Sequence, residues 1–196
     1  MLASITPLGE RGRQARWPIT LAAFVLGNLA AGCAAGALAG GVGDIVLPVS
    51  FGGHLRLLTL ATAALVSIVL DAGPVALPGP RRQVDERWLD RYRGWAYGLG
   101  YGLQLGLGVT TVVTSAATYI AIVAACLTAT AAGGALILGC FGAARGLTLL
   151  AGAHVRTPQR LIALHAWLER RRRLSGRAGL ASLTAIFLLA ATGGLG

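Results

Sequence analysis

Residues 94 to 151 carry a single charged side chain, Arg145, and further apolar blocks run over 17 to about 41, 55 to about 75 and 178 to 195. None of them keeps the polar face that an amphipathic helix of a soluble domain turns toward water. At about 1.5 Å of rise per residue, blocks of this length cross a hydrocarbon layer of about 30 Å, and the longest is long enough for two crossings. Composition points the same way. Hydrophobic residues make up 55% of the chain, charged residues only 12%, and the mean hydropathy is +0.69. Such a chain needs an apolar solvent.

The formal net charge of +10 suggests nucleic acid only until its placement is read. Every basic residue is an arginine. Three lie in 11 to 16, five in 81 to 93 and seven in 156 to 177, leaving only Arg56 and Arg145 elsewhere. Basic clusters between apolar blocks are what the positive-inside rule produces. The expected partner is therefore membrane lipid, above all the anionic inner leaflet, and not nucleic acid.

This pattern predicts an all-α fold, a polytopic transmembrane helix bundle of about five spans in one membrane domain of 196 residues. The spans are expected at about 17–41, 55–75, 97–127, 133–151 and 178–195. The first is an uncleaved span, because a signal-peptide core is only about 7–15 apolar residues. Pro74, Pro78 and Pro80 should end the second, and residues 42 to 53 should form a short outer loop. Trp88, Tyr92, Trp95 and Tyr97 read as an interfacial aromatic belt. The turn between spans three and four is expected near 128 to 134, where Thr, Ala and Gly concentrate, and the threonines around 110 to 118 leave room for an extra re-entrant segment that would not alter the topology. Thr157-Pro158 looks like an N-cap with proline at the first helical position. It opens an amphipathic interfacial helix over about 157–174, bearing Trp167 and expected to lie on the inner leaflet. The N-terminus is placed in the cytoplasm and the C-terminus outside.

Glycines recur every fourth residue at Gly94, Gly98, Gly102 and Gly106, at Gly32, Gly36 and Gly40, and at Gly142 and Gly146. Stripes of this kind let helix backbones approach closely within a membrane. They serve either packing within one chain or an interface with a second copy or other membrane subunits.

Ionisable and polar groups inside spans are candidates for function. Asp71, Gln104 and Arg145 fall at comparable depths and are the predicted substrate-binding residues, with Arg145 as the cation, Asp71 its partner and Gln104 a hydrogen-bonding ligand. The bland alternative is a helix-end aspartate and an arginine reaching for headgroups. Asn28 is a weaker candidate. Cys126 and Cys140 stand symmetrically about Gly133 and form a possible redox pair, or else act as small hydrophobes. Cys33 completes the cysteines, and no C-x-x-C spacing or cluster of His54, His154 and His165 suggests a metal. No cofactor is expected, and no catalytic triad or nucleotide-binding motif points to an enzyme.

The stretch from Gly94 to Tyr119, with Gln104-Leu105-Gly106-Leu107-Gly108-Val109, resembles uncharacterised actinobacterial integral membrane proteins. So do the preceding Arg81-Arg82-Gln83-Val84-Asp85-Glu86-Arg87-Trp88 and the opening Ser4-Ile5-Thr6-Pro7-Leu8-Gly9-Glu10-Arg11-Gly12-Arg13. More distantly, the chain is similar to the membrane domain of cytochrome c biogenesis and disulfide-reductase proteins, a superfamily that includes small-solute exporters. That resemblance implies a carrier of small solutes or reducing equivalents. The Pro-Cys pair of that superfamily is missing, since no proline precedes Cys33 and no cysteine accompanies Gln104. The two functions to be weighed are thus a small-solute or reducing-equivalent carrier and a non-catalytic accessory subunit of a larger membrane complex.

Overall fold

Thr6 and Pro7 start the first helix, α1 (Pro7–Gly12), by the rule that a hydroxyl caps an open N–H while proline occupies the first turn. The Gly9 amide donates to Thr6 Oγ1 at 3.2 Å. In the computed structural model, which describes residues 5–48, 50–73, 91–107 and 116–193 apart from the side chains of 172–175, six more helices follow. They are α2 (Trp17–Val46), α3 (Gly53–Ala72), α4 (Gly94–Gly106), α5 (Ala117–Leu127), α6 (Ala131–Leu147) with a 3-10 turn after it (Thr148–Gly152), and α7 (Pro158–Gly193). Among the described residues there is no strand. The prolines expected to close the second span, Trp88, the loop arginines before Arg91 and the threonines of 110–114 lie outside the described residues.

Four stretches are long and apolar enough to cross a membrane: Trp17–Val46, Gly53–Ala72, Ala131–Gly152 and Gly176–Gly193, with Ala117–Leu127 as a shorter apolar helix. Their outward faces carry large apolar side chains, among them Ile45 at 85% and Leu189 at 74% exposure. In water such surfaces would drive aggregation; against lipid they are the expected exterior. Hydroxyls on these helices bond to the carbonyl four residues back, as Thr59 to Leu55, Thr62 to Leu58, Thr184 to Leu180 and Thr192 to Leu188 do at 2.7 to 2.9 Å. A lipid-facing hydroxyl has no water to bond, so this local acceptor satisfies it. The chain is an integral membrane protein.

Three elements refine the sequence expectation. Within the third expected span the described residues form α4, which ends at Gly106, and α5, which starts at Ala117; residues 108–115 lie outside the described residues. Neither helix, at about 1.5 Å per residue, crosses a 30 Å layer alone. The turn before α6 spans 128–130, within the expected 128 to 134 and not centred on Gly133. Thr130 Oγ1 accepts from the Gly133 amide at 3.2 Å and caps α6, while Ala129 takes a positive φ of 50°. Finally, the surface helix and the last apolar block are one continuous helix, α7, because Ser175-Gly176 is only a weak breaker and no proline interrupts it. Thirty-six residues amount to about 54 Å, so roughly half of α7 extends beyond the hydrocarbon.

The chain forms two compact units: Met1–Gly32, Arg81–Thr111 and Gly139–Arg172 in the first, and Cys33–Pro80, Val112–Leu138 and Arg173–Gly196 in the second. The first has a core of Ile5, Phe24, Tyr97, Tyr101 and Leu149. Within it the α4 stripe lies along α2. A Cβ on Gly98 would stand 2.6 Å from the Thr20 carbonyl, one on Gly102 would strike the Phe24 carbonyl, and one on Gly106 would reach 2.5 Å from the Asn28 carbonyl. Gly142 and Gly146 of α6 close on Asn28 and Val25 from another direction. In the second unit Gly36 and Gly134 meet each other's carbonyls, and Gly40 and Gly43 lie on Thr130 and Cys126. That packing carries α2 past the expected end at 41 to Val46. The core of the second unit is Ala64, Ile120 and Leu183. Of the two readings of the stripes, packing within one chain is therefore seen at Gly36, Gly40, Gly98, Gly102, Gly106, Gly142 and Gly146.

Candidate functional site

The N-terminal segment, which composition marks only as polar and basic, is folded into the first unit. Ile5 is fully buried and the Leu8 amide donates to the Val155 carbonyl at 3.0 Å. The short helix α1 then delivers Glu10, fully buried, to a position where a carboxylate needs several donors. It has three. Thr20 Oγ1 donates to Oε2 at 2.8 Å, Arg13 Nη2 to Oε1 at 3.0 Å, and the Tyr97 hydroxyl to Oε1 in a short hydrogen bond. Gly94 makes room for this group: a Cβ there would lie 2.6 Å from Thr20 Oγ1 and 3.4 Å from Glu10 Oε2. Partial burial opposes the charge on Arg13, but its bonds to Glu10 and Tyr97 outweigh that and hold the guanidinium above its ordinary range.

This network floors a cleft of about 490 Å³ at the N-terminal ends of α2 and α4. Arg13, Arg16 and Arg93 line it together with Gln14, Tyr92 and Trp95. Arg13 is matched by Glu10. Arg16 and Arg93 have no acidic partner among the described residues, so within those residues two guanidiniums at the cleft are unmatched. Arg93 also occupies the N-cap of α4, where its carbonyl accepts from the Ala96 and Tyr97 amides but its side chain caps nothing, which leaves the Gly94 and Trp95 amides and the positive end of the helix at the cleft wall. Guanidinium forks and open helix amides together are an anion-binding arrangement.

Asp71 belongs to the second unit, and Gln104 and Arg145 to the first. Asp71 Oδ1 accepts from the Ala116 amide at 2.8 Å, so its carboxylate sits at the start of α5, where it complements the helix dipole. Arg145 stacks over Phe141, with 5.8 Å from guanidinium carbon to ring centroid, in the last turn of α6, where a cation suits the carbonyl end. Gln104 is half-buried on α4. Asn28 is fully buried and donates from Nδ2 to the Phe24 carbonyl at 3.0 Å. Cys126 lies next to the end of α5 and Cys140 well inside α6, at unequal distances from the turn, and both are free thiols.

Sequence reasoning overlooked Glu10 and Thr20, and read Tyr97, which is buried against Glu10, as part of an interfacial aromatic belt. One signal was available: Glu10 is the only acidic residue before Asp44, placed just after a Thr-Pro helix start and before three arginines. Comparison with known protein families, with curated proteins and with solved structures finds no match to this chain.

Proposed function

We propose that the protein is a non-enzymatic carrier of the cytoplasmic membrane that takes up a small anionic solute at the Arg13, Arg16 and Arg93 cleft. In this reading the N-terminus and the cleft face the cytoplasm, consistent with the three arginine clusters. The cleft is the observation that carries the proposal: it combines two guanidiniums lacking acidic partners among the described residues with the uncapped start of α4. The reducing-equivalent form of the carrier gains nothing from the thiols, since Cys126 and Cys140 are not placed symmetrically about the turn. The accessory-subunit reading draws no support from glycine stripes that meet backbone inside the chain.

The test is exchange transport. Protein reconstituted in liposomes is loaded with one anion and challenged with a labelled panel of small anions from outside. Saturable exchange that falls at least tenfold in Arg93→Gln is the expected result. Uptake no faster than in empty liposomes across the panel would remove the carrier reading.

A further inference from the structure

Resting on the anion-site reading, we infer that the ligand of this cleft is a phosphate monoester, its phosphoryl group held by Arg16 and Arg93 and its organic remainder resting on Trp95 and Ile19. Charge selects the class first. Once Arg13 is matched to Glu10, the unmatched charge among the cleft-lining residues is that of two guanidiniums, the complement of a dianion. A planar carboxylate is satisfied by one arginine fork, whereas a phosphoryl group presents three terminal oxygens and uses several donors at once. The Gly94 and Trp95 amides at the start of α4, a helix of 13 residues, add donors of the kind that phosphates accept at helix N-termini.

The walls argue for an ester over free phosphate. Trp95 is 54% and Ile19 49% exposed at the cleft, an apolar ledge beside the guanidiniums that inorganic phosphate would leave uncovered. A volume of about 490 Å³ lies within the range of organic ligand sites and has room beyond a phosphoryl group. Two sources share this chemistry: a soluble phosphate monoester and a phosphatidate headgroup, whose glycerol and first methylenes would occupy the same ledge.

Titration of the full-length protein in a neutral maltoside detergent, followed by tryptophan fluorescence, separates the possibilities. The probes are glycerol 3-phosphate, dihexanoyl phosphatidate, inorganic phosphate and succinate. Binding of either ester at least tenfold tighter than succinate or inorganic phosphate, weakened at least tenfold by both Arg16→Gln and Arg93→Gln but not by Arg171→Gln, is the expected result. Both cleft arginines are exposed, and unchanged circular dichroism and melting temperature check that the variants fold. Binding of the lipid form alone upholds the phosphate site and removes the solute-carrier reading. Arginine-dependent binding of succinate equal to or tighter than the esters overturns the phosphate inference while the anion site stands. Absence of binding by every probe overturns both.

Discussion

The Tyr97 hydroxyl donates to Glu10 from 87 positions further along the chain, and through this bond the N-terminal helix α1 is fastened to α4. The carboxylate is fully buried and bonded to three donors, so removing it strands Arg13, Thr20 and Tyr97 together. Glu10→Ala is expected to destabilise the protein by about 3–5 kcal/mol, the range for breaking a buried charge pair from one side. Tyr97→Phe should cost less, about 1.5–3 kcal/mol, since it removes one hydrogen bond to a charged group. Thermal unfolding in detergent measures both, and trypsin should cut faster after Arg11 and Arg13 in Glu10→Ala. Equal stability of Glu10→Ala and wild type would show that the network does not hold α1.

Glycines that look alike in sequence should respond oppositely to alanine. Gly102→Ala and Gly106→Ala drive a methyl into the Phe24 and Asn28 carbonyls and should cost about 1–3 kcal/mol by overpacking. Gly41, Gly176 and Gly179 lie in helix interiors, and a methyl added to any of them would meet no atom within 4 Å. Alanine there should stabilise by about 0.5–1 kcal/mol. Melting temperatures of the five variants give the comparison, and a uniform response would contradict the packing.

Asp71 is predicted to act on α5. Asp71→Ala leaves the Ala116 amide without its carboxylate acceptor and should cost about 0.5–2 kcal/mol, with Asp71→Asn losing less because its amide oxygen can still accept. Hydrogen exchange at the amides of 116–119 should accelerate in the alanine variant. Unchanged protection there would exclude the capping role.

The proposed orientation follows from the arginine clusters and an odd number of crossings, with α4 and α5 together making the third. A reporter fused after Gly196 should be active only outside the cytoplasm, and one fused before Met1 only inside. A cytoplasmic signal from the C-terminal fusion would require an even number of crossings.

The spans, the arginine clustering and the every-fourth-residue glycines could be read along the chain because each is a local or periodic signal. Hydrophobic length reports bilayer thickness, and a period of four reports one helix face. The Thr157-Pro158 start of α7 was legible for the same reason, since cap and helix are neighbours. Its continuation through Ser175-Gly176 was not, because a single glycine in a helix is a matter of about 1 kcal/mol, which tertiary context decides.

What the tertiary structure alone decided is which group meets which. A stripe of glycines specifies that a backbone will come close without naming it, and here Thr20, Phe24 and Asn28 of α2 receive the stripe of α4. Asp71 read as a membrane carboxylate seeking a cation, and no local window of sequence shows that its Oδ1 accepts the Ala116 amide. Glu10 read as one charge in a polar N-terminal tail. Its burial depends on Thr20 and Tyr97 arriving from two other helices, and no local window of sequence contains that convergence.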